Sequence, residues 1–176
     1  QDRHLLRRQF GAAALALMEI HLISGDIKYK KAAEAKLALV IKNQAKDGNY
    51  LEKMSVDEGY SSLTVELLSR YYALMPDKSI LVSVNSYFKN CRQTFKFNSR
   101  NTNWRIIAGF EYFSHISKES AKSLEWFLCN KNIIHLPDNR HLCTDLYRLY
   151  WAWINVNTPI SCTKIIAFRQ IKETAQ

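Results

Sequence analysis

Residues 10–44 read FGAAALALMEIHLISGDIKYKKAAEAKLALVIKNQ, and this stretch decides the fold. Its first half is apolar almost all round, which predicts a helix over about 4–23 that is buried on most of its sides. Its second half has one apolar stripe with lysines over the rest, which predicts an outer helix over about 28–44. Gly25 and Asp26 separate the two helices, because glycine suits the left-handed position after a helix and aspartate caps the next one. The stretch therefore predicts a helical hairpin.

The same pattern recurs further along the chain. Apolar residues are found at helical spacing over about 62–75 and again over about 78–93, with Pro76-Asp77 between them. This break lies about 50 residues after the first one, and a period of that length is typical of stacked helical hairpins. Further helices are predicted over about 104–115, 117–128 and 140–155, with Ser117 as the cap of the second of these. We therefore predict an all-α fold, an array of antiparallel helical hairpins.

The composition agrees with a packed globule. The chain has 176 residues, of which 47% are hydrophobic and 23% charged, and this is enough for one domain with its own core. We predict a helical-hairpin domain over 1–156 and a C-terminal tail over 157–176 that forms a short helix or a tether. Apolar residues such as Ile165 and Phe168 would let the tail dock against another chain or another part of this one.

The net charge bears on which partners the protein could bind, and the cysteines bear on the compartment in which it is found. The net charge is +9, which attracts nucleic acid, anionic membrane or acidic polysaccharide. The basic residues are dispersed and accompany no known nucleic-acid motif, so nucleic acid is the least favoured partner. No apolar stretch is long enough to cross a bilayer, and no signal-like segment opens the sequence. The four cysteines lack disulfide-type spacing, so we expect reduced thiols in a cytoplasmic protein.

Two polar segments resemble a known family. Residues 44–63 read QAKDGNYLEKMSVDEGYSSL, and residues 99–104 read SRNTNW, followed by Gly109-Phe110-Glu111. The first segment begins like the Gln-x-x-Asp-Gly-aromatic turn after outer helices of α/α toroids, which include terpenoid-cyclase-like proteins and the helical domains of polysaccharide lyases. The whole pattern, over about 9–153, is similar to bacterial toroid proteins of polysaccharide gene clusters. Because a full toroid holds more hairpins than this chain, the resemblance implies a partial α/α toroid.

The resemblance also implies a site. In such proteins the loops that enter inner helices converge on one cleft. Aromatic rings there pack on the apolar face of a pyranose, carboxylates and amides bond its hydroxyls, and Arg100 would pair with an acidic glycan through a uronate or sulfate group. The expected catalytic residues are Asp57, Glu58, Tyr60 and Asn101. The expected substrate-binding residues are Glu52, Arg100, Asn103, Trp104 and Glu111.

Two catalytic schemes are open, and catalysis itself is not established by the sequence. Hydrolysis would use two carboxylates with one kept protonated. The candidates for that pair are Glu52, Asp57, Glu58 and Glu111. Elimination of the lyase type would use Arg100 and Asn101 to neutralise a uronate, with Tyr60 or His115 moving the proton. These side chains also have ordinary structural interpretations. Asp57 or Ser61 would cap a helix, and Glu58 would be a solvated charge. Tyr60 and Trp104 would belong to the core.

Two further groups of residues, one of possible metal ligands and one of aromatic side chains, do not indicate a cofactor. His135, His141, Cys143 and Asp145 lie close together, but a zinc site has tighter paired spacing, so we predict no metal site. A group of aromatic residues recurs at helical spacing near the C-terminus, which favours core packing over a stacking platform. The group consists of Trp126, Tyr147, Tyr150, Trp151 and Trp153.

The alternative function is a non-catalytic helical-repeat scaffold that binds a protein partner. Arrays of helical hairpins offer a concave face to such partners. This hypothesis predicts an apolar surface patch in place of a polar cleft, with the C-terminal tail as part of the contact.

Overall fold

A computed structural model describes residues 7–52, 55–56, 58–94, 104–129 and 142–155. These residues are helical except for short connections and one two-stranded ladder, which confirms the all-α prediction. The helices are α1 (Arg7–Ser24), α2 (Ile27–Lys42), α3 (Glu58–Leu74), α4 (Lys78–Thr94), α5 (Trp104–Ser114), α6 (Lys118–Cys129) and α7 (Leu142–Ile154). Among these helices, none combines the length and the apolar character that a membrane span requires.

The chain divides into two compact units. The first unit is Gln1–Asn90 and the second is Cys91–Gln176, so the boundary falls within α4. In the first unit, α1 packs against both α2 and α3. In the second unit, α5 packs against both α6 and α7.

The turn between α1 and α2 is built as the sequence predicts. Gly25 has a φ of +72°, and its N–H donates to the carbonyl of His21 at 2.8 Å. Asp26 is the N-cap of α2, since its carboxylate accepts from the backbone N–H of Lys28 at 2.9 Å. The Lys28 ammonium lies 2.8 Å from the same carboxylate. Hydrogen bonding to this ammonium, and then to the backbone amide, holds the pKa of Asp26 below its ordinary value.

α1 is less buried than the sequence suggests. Ala14 and Met18 are buried, but Ala16 and Ile20 are exposed. Ile23, at the end of the helix, is 87% exposed. The expectation of a helix buried on most sides is therefore wrong, because α2 and α3 cover only the face that holds Ala14 and Met18.

The second unit has an aromatic core. Phe110 of α5 and Phe127 of α6 are buried with ring centroids 5.9 Å apart. Tyr112 of α5 stacks on Trp151 of α7 at 5.3 Å with an interplanar angle of 28°. Ser117 caps α6 as predicted, because its hydroxyl accepts from the N–H at position 120 at 3.4 Å.

α7 also has an apolar face in solvent. Leu146, Tyr147, Tyr150 and Ile154 are between 40% and 53% exposed, and their spacing places them along one side of the helix. We call these four residues the α7 stripe. Tyr147 and Tyr150 therefore do not lie in the core, contrary to the prediction for the C-terminal aromatic group, whereas Trp151 does stack on α5.

Candidate functional site

The turn that follows α2 is shaped by its own polar side chains. The Gln44 side-chain amide donates to the carbonyls of Gly48 and Ser83 at 2.7 and 2.8 Å, and it accepts from the Ser83 hydroxyl at 2.8 Å. Asp47 accepts from both the backbone and the side-chain nitrogen of Asn49, each at 3.0 Å. The residues of the Gln-x-x-Asp-Gly pattern thus fold the turn and fasten it to α4, and each already has its hydrogen-bond partners within the protein.

Gly48 sits where the turn comes closest to α4. Its φ is +91°, a left-handed conformation that favours glycine. A Cβ at this position would lie 2.6 Å from both the carbonyl carbon and the carbonyl oxygen of Ser86. Those atoms belong to helical backbone, so they cannot give way as a flexible side chain would. Glycine is therefore required both by the local backbone and by the approach to α4.

The buried residue Tyr50 fastens the turn to α3 and α4. Its hydroxyl lies 2.7 Å from the Ser83 hydroxyl, and its ring centroid lies 5.6 Å from that of Tyr87 in α4. Its carbonyl accepts from the hydroxyl of Ser61 in α3 at 3.1 Å. Ser61 therefore uses its hydroxyl to tie α3 to the turn. The turn is fixed to both helices, so it is a rigid platform for neighbouring side chains.

α3 begins earlier than the sequence predicts. After the turn, Leu51 pairs with Val56 in a two-residue antiparallel ladder, and α3 then begins at Glu58. The expected loop residues Glu58 and Tyr60 are thus in the first turn of α3, and the predicted helix start at about 62 is wrong. A glutamate in a first turn is favourable because the helix N-terminus carries partial positive charge.

A small, partly open cavity of about 50 Å³ lies beside the turn, on the surface of the first unit, and we call it the groove. Its walls come from α1, α2, α3 and the turn itself. They include Phe10, Val40, Asn43, Tyr50, Tyr60 and Thr64. The lining is a mixture of ring and aliphatic surface with a few hydroxyl and amide groups, which is typical of surfaces that recognise a molecule with both apolar and hydroxyl faces.

The polar side chains of the groove differ in the hydrogen-bonding capacity that remains after their contacts within the protein. The Asn43 side-chain nitrogen donates to the carbonyl of Leu39 at 2.8 Å, and its oxygen accepts no hydrogen bond from the described residues. The Thr64 hydroxyl donates to the carbonyl of Tyr60 at 3.0 Å and retains acceptor capacity. Asn43 and Thr64 therefore present acceptors beside the half-buried ring of Tyr60.

Tyr60 is the predicted site residue that the structure places in the groove. Asp57, Arg100, Asn101 and Asn103 lie outside the described residues. The backbone positions of Glu52, Glu58 and Trp104 are described, in the ladder, in α3 and in α5, but their side chains are not. The expected convergence of the two polar segments on one cleft therefore stays a prediction.

Glu111 is described, and it is buried. It lies in α5 with 4% of its surface exposed, and its Oε1 is 3.8 Å from Nε2 of His115, one helical turn later. Both side chains lie within the second unit, away from solvent. Contact of Glu111 with a polymer would require an opening to this carboxylate, and its role in substrate binding, like the role of His115 in proton transfer, stays a prediction.

Among the residues that line the groove, sequence reasoning predicted only Tyr60 and missed the others, including Asn43, Phe10 and Thr64. Asn43 could have been predicted from the sequence as a site residue, because it directly precedes the Gln-x-x-Asp-Gly pattern. Phe10 and Thr64 have no such signal, because they reach the groove only through the packing of α1 and α3 beside α2.

The described residues include no group of three or more metal-ligating side chains. Of the four residues considered for a metal, His135 and His141 lie outside the described ranges, as does the side chain of Asp145, whereas Cys143 is exposed on α7. No protein-family model, no curated protein and no solved structure matches this chain.

Proposed function

We propose that the chain is a carbohydrate-binding helical domain of partial-toroid type, and that the groove beside the turn is its binding site. The observation that carries this proposal is that the Tyr60 ring and the Asn43 amide both line the groove. A tyrosine ring packs on the C–H face of a pyranose, and an amide oxygen accepts from a sugar hydroxyl.

Binding without catalysis is the form of the proposal that the groove supports best. Glycoside hydrolysis needs two carboxylates at a fixed separation, and elimination needs a base beside a neutralised uronate. The groove lining holds neither a carboxylate nor a histidine among its described side chains. An active enzyme would have to bring in Glu52, Glu58 or residues of the second polar segment.

The test is a glycan array followed by calorimetric titration of the best ligand. Tyr60→Ala removes the stacking surface, and the loss of one aromatic contact of about 1.5 kcal/mol weakens binding roughly tenfold. Tyr150→Ala is the matched control, because it removes an exposed tyrosine from the other unit. If no sugar binds, or if Tyr60→Ala binds as tightly as the wild type, the proposal is wrong.

A second candidate function is a scaffold for a protein partner, and the α7 stripe is the observation that favours it. Four neighbouring apolar side chains in solvent are typical of a contact surface. On this hypothesis Tyr150→Glu abolishes co-purification of the partner or self-association in light scattering, while Tyr60→Ala leaves both unchanged. The reverse pattern would exclude the α7 stripe as a contact surface.

A further inference from the structure

The Lys36 side chain contacts an aromatic residue of the groove. The ammonium of Lys36 lies over the ring of Phe10, 5.0 Å from its centroid, and Phe10 lines the groove. A cation over an aromatic face is attracted by the ring's negative quadrupole, so the contact holds the flexible side chain in a defined place.

The position of Lys36 on α2 agrees with this placement. Val40 and Asn43 follow it by four and seven residues, so the three share one face of the helix. Both Val40 and Asn43 line the groove. Lys36 therefore lies one helical turn before Val40, on the side of α2 that lines the groove.

Lys36 is also free to meet an anion. Lys28 lies 2.8 Å from the carboxylate of Asp26, and Lys30 lies 3.9 Å from that of Glu34. By contrast, Lys36 forms no ion pair with any carboxylate of the described residues. An unneutralised ammonium beside an uncharged groove attracts a negative group on whatever the groove binds.

We propose that Lys36 selects a sugar residue that carries one negative charge, a carboxylate or a sulfate ester, in this groove. The pyranose ring packs on Tyr60 while its anionic group meets the Lys36 ammonium, and the inference rests on the proposed carbohydrate-binding function. Lysine acts as a point charge, so this contact accepts both anionic groups. Recognition of the acid group thereby belongs to the first unit and does not require Arg100.

The test compares three oligosaccharides of one backbone: an oligogalacturonate, its neutral methyl ester, and a sulfated form of that methyl ester. Lys36→Gln is expected to weaken binding of both charged probes about tenfold, a typical effect of one charge-assisted contact. Binding of the methyl ester stays within about twofold, and Lys36→Arg restores affinity for the charged probes. Lys31→Gln is the matched control, because it removes the same charge from an exposed position on the same helix.

Each contrary result has its own meaning. Equal weakening by Lys36→Gln and Lys31→Gln shows that only net charge matters, and it overturns the assignment of Lys36. Equal affinity for the ester and the acid also overturns it, while leaving the carbohydrate function in place if Tyr60→Ala still weakens both. Failure of all three probes to bind, with no other sugar retained on the array, removes the function and the inference together. Far-UV circular dichroism verifies that each variant is folded.

Discussion

Gly48 gives the sharpest test of how the site is held, because the chain supplies its own control. Gly25 and Gly48 both have positive φ, +72° and +91°, so alanine pays the left-handed penalty of about 1–2 kcal/mol at either position. At Gly25 an added Cβ meets no atom within 4 Å. At Gly48 it would lie 2.6 Å from the backbone of Ser86, and such overpacking adds about 1–3 kcal/mol.

The expected loss in free energy of unfolding is therefore about 1–2 kcal/mol for Gly25→Ala and about 2–5 kcal/mol for Gly48→Ala. The measurement is equilibrium unfolding in urea followed by far-UV circular dichroism. Tryptophan fluorescence serves as a second probe that reports only residues 91–176, where all four tryptophans lie. If Gly48→Ala loses no more stability than Gly25→Ala, the close approach of the turn to α4 is wrong, and the rigid platform of the groove with it.

Three further outcomes follow from the first unit. Tyr50→Phe removes the hydrogen bond to Ser83 and is expected to cost about 1 kcal/mol in urea unfolding; no change would show that the hydroxyl does not fasten the turn. Burial, with a smaller effect of nearby carboxylates, raises the pKa of Tyr71 to about 12. Its neutral form is thus favoured by folding, so this stability is complete below the ordinary pKa near 10 and is lost as pH rises toward 12. Tyr71→Phe should make the free energy of unfolding fall less steeply between pH 10 and 11, and an equally steep alkaline loss in the variant would refute the reasoning. At pH 7 the substitution should be neutral or up to about 1 kcal/mol stabilising, because the hydroxyl has no hydrogen-bond partner among the described residues. The pKa of Asp26 is lowered by its hydrogen bonds to Lys28. The stability that this carboxylate contributes is therefore present above the ordinary carboxyl pKa near 4 and is lost as pH falls through the lower folded value. Asp26→Ala should lower Tm at pH 7, and the difference in Tm between the variant and the wild type should shrink near pH 2.

Local sequence signals were enough to predict the helices and most of their ends. Gly25, Asp26 and Ser117 were recognisable because a cap acts through atoms within three or four residues along the chain. The same holds for Asp77, whose carboxylate accepts from the backbone N–H of Ser79 at 2.7 Å. Tyr60 was also predicted from the sequence as a site residue, through the pattern of the polar segment that contains it, and the structure places it in the lining of the groove.

Which helix faces are covered, and which residues line the groove together, depends on how the helices pack against one another. The apolar sides of α1 and α7 look alike in sequence whether or not a neighbour covers them, so the exposure of Ile23 and Tyr150 depended on the packing of other helices. The use of the Ser61 hydroxyl by the turn required a residue far along the chain. The placement of Lys36 over Phe10 likewise joins α2 to α1. Contacts of this kind depend on the positions of whole helices, and no pattern of neighbouring residues encodes them.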